Sequence, residues 1–112
     1  MNLESKENGD FQVIAVHEPR IDAAAAIRFK DRMRELTAGG APHVVLELSE
    51  VEFIDSSGLG AIVAAMKQLG ATRRLDLAGL TPTVDRVFRL TRMDSVFTIH
   101  DSLAEVRAVY SG

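Results

Sequence analysis

The chain has 112 residues and no cysteine, which excludes a disulfide framework, a thiolate metal site and a cysteine nucleophile. Apolar residues make up 46% and charged residues 26%, the proportions of a soluble globular protein, and the length suits one domain spanning residues 1–112. A net charge of −3 with no basic stripe argues against direct nucleic-acid binding and leaves a protein partner as the simpler expectation.

Residues 1–10 are polar and acidic, with no apolar stretch of the kind a signal peptide needs. They are expected to form a loose lead-in with at most a short strand near Leu3. The longest apolar run, residues 60–66, is too short for a membrane span, so a cytoplasmic protein with no membrane partner is expected. Residues 12–17 alternate and are rich in β-branched side chains, which predicts a strand. Pro19 breaks it, and residues 20–22 suggest a short further strand. Asp22 stands where a helix N-cap belongs, before an alanine-rich stretch from Ala23. Ala25, Phe29, Met33 and Leu36 share one face of that helix, Ile27 points away from it, and Gly39-Gly40 marks the end.

Residues 43–48 form a nearly continuous apolar run, the signature of a strand covered on both faces. Residues 51–54 stay extended into Asp55-Ser56-Ser57-Gly58, and a second helix follows to about Leu69. Its apolar stripe is Leu59, Ile62, Val63, Met66 and Leu69. Ala61, Ala64, Ala65 and Gln68 lie opposite, where small side chains permit close approach of a partner. Residues 75–78 predict a strand, and Thr81-Pro82 predicts a helix start. That helix, residues 82–91, turns Val84, Val87 and Phe88 inward. Residues 96–99 predict a strand. Ser102 and Glu105 fit a capping box ahead of a last helix with Leu103, Val106 and Val109 as its stripe. Strands and helices alternate from residue 43, which parallel strands with helical crossovers satisfy most simply. The early strands are too closely spaced for such crossovers. The expected fold is therefore α/β: a single small domain with a mixed, mostly parallel sheet of about four or five strands and about four helices.

The stretch from Asp55 through Ser56, Ser57, Gly58, Leu59 and Gly60 carries the chemistry. It puts two hydroxyls and a carboxylate at a helix N-terminus, where unpaired N–H groups carry partial positive charge and favour oxyanions. Ordinary helix capping accounts for the same residue types. Two glycines in the first turn cost about 1 kcal/mol each relative to alanine, and they leave the turn open to another protein. Asp55 either caps the helix or orients Ser56, and the Ser57 hydroxyl is expected to turn to the backbone. His17, His43 and His100 are scattered among strand ends without metal-ligand spacing. No Gly-x-Ser-x-Gly elbow and no phosphate-binding loop occurs. Neither an enzyme nor a cofactor is expected.

The Asp55–Gly60 stretch resembles the phosphorylation-site motif of bacterial anti-sigma-factor antagonists, the STAS-domain family. Ile21-Asp22, the segment from Leu80-Thr81-Pro82 to Val87-Phe88-Arg89-Leu90-Thr91, and Asp94-Ser95-Val96-Phe97 with Asp101-Ser102-Leu103 are similar to family segments in the same order. The resemblance implies that the unmodified protein binds an anti-sigma factor with serine kinase activity and so frees a sigma factor. Phosphorylation of Ser56 would release the partner, and a metal-dependent serine phosphatase would restore the active form. It also implies a switch loop and partner surface made of Asp55, Ser57, Gly58, Leu59, Gly60, Ala61 and Ala64, supported by Asp22. The alternative use of such a domain is as a protein-interaction subunit of a transporter-associated, stress or secretion complex. The family usually has glycine near Pro19-Arg20 and at Arg92, where this chain departs from the pattern.

Overall fold

A computed structural model describes residues 1–110. A five-stranded sheet has the order β1 (Leu3–Asn8), β2 (Phe11–Val16), β4 (His43–Glu47), β6 (Arg74–Ala78), β7 (Ile99–His100). The strands from β2 to β7 run parallel, and β1 pairs antiparallel with β2. A second, two-stranded parallel sheet joins β3 (Arg20–Ile21) to β5 (Phe53–Ile54). Four α-helices complete the fold: α1 (Ala23–Leu36), α2 (Ser56–Leu69), α3 (Pro82–Leu90) and α4 (Leu103–Tyr110).

Both faces of the main sheet are covered, as the apolar run in β4 requires. Val44 and Leu46 join Ile14, Val16, Leu77, Phe29, Met33, Ile62 and Phe88 in the main core. Val45 faces the other way and packs with Phe11, Val13, Ala78 and Val106 in a smaller core under α4. The strands β2, β4 and β6 split their residues between the two cores by the period-two alternation of side chains.

Several expectations are corrected. The lead-in is a full edge strand: Leu3 is buried and pairs with Val16, and Asn8 pairs with Phe11 across a two-residue turn. Gly9, at φ 65°, supplies the positive φ that such a hairpin needs. The strand is hidden in the sequence because its remaining residues are charged or polar, as suits a sheet edge. Thr81 occupies the N-cap position of α3, but its hydroxyl donates to the Val51 carbonyl at 2.8 Å, tying α3 to the loop before β5. The chain after α3 does not extend at Val96. Arg92 adopts a left-handed conformation (φ 60°), a 3-10 turn spans Met93–Ser95, and the amides of Val96 and Phe97 still point back to the Met93 carbonyl. The strand is reduced to Ile99–His100. In α4, Val109 is exposed and Tyr110 packs inward instead.

Candidate functional site

The site is built where the small sheet hands over to two helices. β3 and β5 lie in register, with Arg20 beside Phe53 and Ile21 beside Ile54. Each strand is followed by an aspartate and then a helix. Asp22 Oδ1 accepts from the Ala25 amide at 3.2 Å and caps α1. Asp55 Oδ1 accepts from the Gly58 amide at 2.9 Å and caps α2, while its Oδ2 accepts from the Ala23 amide at 3.2 Å. The Asp55 amide donates to the Ile21 carbonyl at 3.4 Å. One carboxylate thus holds the N-termini of both helices, and two sets of unpaired N–H groups converge on one place.

Ser56 is the first residue of α2 and is exposed. Ser57 is exposed as well. Among the described residues neither hydroxyl has a hydrogen-bond partner, so the expected turn of Ser57 to the backbone does not occur. Both are available to a second molecule.

The two glycines differ. A Cβ at Gly58 would sit 1.9 Å from the Ile21 carbonyl oxygen and 2.9 Å from Ile54 Cγ1, so Gly58 is demanded by the protein's own backbone and is buried. Gly60 is exposed, and nothing stands within 4 Å of where its Cβ would be. The open turn expected from both glycines is supplied by Gly60 alone.

Leu59 is half-buried against the main core. Ala61 is 2% exposed and Ala65 5%, which removes both from the expected partner surface. The apolar arc of α2 is wider than its large residues suggest, because the helix packs on α1 as well as on the sheet and buries Ala61 and Ala65 along with the large side chains. Ala64 is half-buried and lines a small groove with Lys30, Arg34 and Gln68. Phe53, three residues before Ser56, reaches solvent, and so does Ile27 on α1. The Arg20 guanidinium lies over the Phe53 ring, 4.8 Å from its centre. Carboxylates of Glu18, Glu50 and Glu52 line an open cleft with His17, Pro19 and Ser49 on the neighbouring loops.

A second polar constellation lies on the α4 face. Asp76 is almost wholly buried. Its Oδ1 accepts from Arg74 Nε at 2.8 Å, and its Oδ2 lies 3.0 Å from the Tyr110 hydroxyl, 2.9 Å from His100 Nε2 and 3.2 Å from His43 Nε2. The His43 nitrogen is buried without a hydrogen bond of good geometry. Burial pushes the Asp76 pKa up, but the hydrogen bonds from Arg74, His100 and Tyr110 outweigh it and hold the carboxyl below its ordinary range. His43 and His100 are therefore not separate strand-end residues. Their meeting comes from strand order, which sequence spacing does not reveal. Among the described residues no His, Asp or Glu group is arranged to hold a metal ion, and no helix is long and apolar enough to cross a membrane.

Comparison with known proteins agrees with this geometry. The family model described as the STAS domain matches residues 2–106. The anti-sigma-B factor antagonist of Listeria monocytogenes is 27% identical over 107 residues, covering 95% of this chain and 94% of that protein. The crystal structure of an anti-sigma factor antagonist from Mycobacterium paratuberculosis superposes with a TM-score of 0.87 at 23% identity, covering 99% of this chain and 94% of that one. The Bacillus cell fate determinant SpoIIAA in its phosphorylated form has the same fold, with a TM-score of 0.67 at 20% identity over 96% of this chain and 99% of that one.

Proposed function

This chain belongs to the STAS domain family, and on that premise we propose that it is a protein-binding switch operated by phosphorylation of Ser56. The unmodified form binds an anti-sigma factor that is also a serine kinase, phosphorylation releases it, and a metal-dependent serine phosphatase resets the cycle in the cytoplasm. The observation that carries this reading is the exposed Ser56 hydroxyl, without a partner among the described residues, at the start of α2 beside a carboxylate already committed to two backbone amides. The names of relatives such as the Listeria antagonist support the partner class, and the phosphorylated neighbour SpoIIAA supports the modification.

The physics of the switch is local. A phosphoserine adds about −1.5 to −2 charges and three acceptor oxygens. Unit charges roughly 5 Å apart repel by about 3 kcal/mol at an effective dielectric of 20, so phosphate beside Asp55 carries a cost. The N-termini of α1 and α2 offset part of it in the free protein. An interface shaped around a neutral hydroxyl has no such relief, and a loss of about 3 kcal/mol lowers affinity by about a hundredfold. Asp55 is anchored twice, so the backbone need not move. Steric and electrostatic blocking is the mechanism.

The test uses Ser56→Ala as bait to capture the kinase-fold partner, followed by incubation of the wild-type protein with that partner and ATP. Mass spectrometry should map one phosphate to Ser56. Phosphate on any other residue overturns the assignment.

A further inference from the structure

His17 follows β2, and both of its ring nitrogens face carboxylates. Nδ1 lies 2.5 Å from Glu50 Oε2, and Nε2 lies 3.0 Å from Glu4 Oε1. A neutral imidazole carries a single N–H and can donate to one of the two, whereas an imidazolium donates to both. The other charged groups around the ring are mostly acidic. On β1, Lys6 reaches Glu4 at 4.0 Å. Next in the chain, Glu18 accepts from the Asn2 amide at 2.9 Å. From the loop after β4, Glu50 and Glu52 line the same cleft as Glu18.

The clamp stands at one end of a ladder. From His17 and Glu50 the two segments run side by side. The Pro19 carbonyl accepts from the Glu52 amide at 2.8 Å and from the Phe53 amide at 3.1 Å. Arg20 pairs with Phe53 and Ile21 with Ile54. The Ile21 carbonyl takes the Asp55 amide, and Asp55 Oδ2 takes the Ala23 amide. The far end of the ladder is therefore the N-terminus of α2, with Ser56 as its first residue. On its other side His17 is tied to β1, through Glu4 and through its own amide on the Asn2 carbonyl at 2.8 Å.

We propose that protonated His17 is a clamp joining β1 to the loop at residues 48–52, and that loss of its proton loosens the ladder that leads to Asp55 and Ser56. The hydrogen bonds to Glu4 and then to Glu50 raise the His17 pKa above the ordinary histidine value, against a smaller opposing effect of desolvation. The contribution of the clamp is thus complete below about pH 6.5, the unfolded value, and is lost as pH rises through the higher folded value. That a looser ladder changes presentation of Ser56 rests on the function proposed above. The clamp itself does not.

The experiment reads the clamp without any partner. Histidine ring protons are titrated by NMR in the wild-type chain and in Glu4→Gln and Glu50→Gln, and amide exchange at Glu52 and Phe53 is followed across the same pH range. His17 should titrate above about 6.5, and each Gln substitution should lower its pKa. After correction for intrinsic rates, exchange at Glu52 and Phe53 should rise by about two- to fivefold as His17 loses its proton, and this rise should vanish in Glu50→Gln. A His17 pKa at or below the ordinary value overturns the proposal, and so does exchange that follows intrinsic rates throughout. Neither result bears on whether Ser56 is phosphorylated, so the two readings fail separately.

Discussion

The backbone of Ile21 closes over Gly58: a methyl group on Gly58 would lie 1.9 Å from the Ile21 carbonyl oxygen. This contact locks the start of α2 against β3, while the Ile21 carbonyl also receives the Asp55 amide. The hydroxyl that projects from Ser56 is therefore mounted on a rigid support, and the neighbouring glycine at position 60 plays no part in that support.

Gly58→Ala and Gly60→Ala should accordingly shift stability in opposite directions. Alanine gains up to about 1 kcal/mol over glycine within a helix. At Gly60 nothing opposes that gain, and the melting temperature should rise. At Gly58 the clash is with backbone, which cannot rotate away, and overpacking of this kind costs about 1–3 kcal/mol or more. Thermal melts of the two variants side by side check this. Equal shifts would show that the Ile21 contact is not what keeps position 58 small.

Asp55 should be worth more to stability than Asp22, although both are helix caps. Loss of a capping side chain costs about 1 kcal/mol. Asp22→Ala removes one amide acceptor, and Asp55→Ala removes two, from Gly58 and Ala23. Asp55→Asn keeps a carbonyl oxygen for one amide and should fall between. Denaturant unfolding of the three variants gives the order directly, and it separates the structural role of Asp55 from any effect on phosphorylation of Ser56.

Much of this site was legible in the sequence because capping chemistry is local. Asp22 and Asp55 each precede a helix, and residue type alone marks them. That Asp55 also serves α1 was not legible, since the Ala23 amide arrives from 32 residues away through the β3–β5 pairing. The same limit explains the misplaced partner face on α2. A helical wheel weighted toward large side chains cannot see that α2 packs on a second helix and buries Ala61 and Ala65. It also explains the strand β1, whose one buried apolar residue, Leu3, is too little for an alternation signal. Parallel strand direction was readable from the alternation of elements, whereas the convergence of Asp76, His43, His100 and Tyr110 depends on which strands are neighbours.

Arg92→Gly should stabilise the protein. Arg92 holds φ 60° at the turn between α3 and the 3-10 segment, where its carbonyl accepts from the Ser95 amide at 3.2 Å and from the Ser95 hydroxyl at 2.7 Å. A left-handed conformation costs an L-residue roughly 1–2 kcal/mol, and glycine avoids it. The larger unfolded-state entropy of glycine takes back about 0.5–1 kcal/mol. A net gain of up to about 1 kcal/mol should appear as a higher melting temperature.

The acid limit of stability should be set in part by Asp76. Its folded pKa is lowered, so the carboxylate stabilises the fold above the unfolded value and that contribution is lost as pH falls through the lower folded value. The affected window lies below about pH 4. Asp76→Asn weakens the hydrogen bonds that the buried carboxylate accepts, while the half-exposed Arg74 guanidinium stays solvated; it should cost about 1–3 kcal/mol at neutral pH and flatten the acid limb of the stability curve. Tyr110→Phe removes one donor and should cost about 1 kcal/mol. Unfolding midpoints measured from pH 7 down to about pH 3 distinguish the two. An acid limb unchanged in Asp76→Asn would assign acid sensitivity to other carboxylates.

Phe53 should matter to binding as well as to folding. Phe53 is 40% exposed, lies under Arg20 and is three residues from Ser56, so a partner could cover a share of its surface that the protein itself leaves open. Aromatic and arginine side chains are the usual anchors of protein interfaces, and removing one costs about 1–2 kcal/mol or more when it is buried by a partner. Phe53→Ala should therefore weaken partner binding by about tenfold, alongside a lower melting temperature from the part of the side chain already buried. Ser56→Asp should weaken the same binding through charge, and Ser56→Ala should preserve it. Calorimetry on the three variants, with the captured kinase-fold protein as titrant, tests both parts together. Equal affinity for Ser56→Asp and Ser56→Ala would remove charge at the start of α2 as the trigger, and full affinity for Phe53→Ala would move the contact surface away from the β3–β5 sheet.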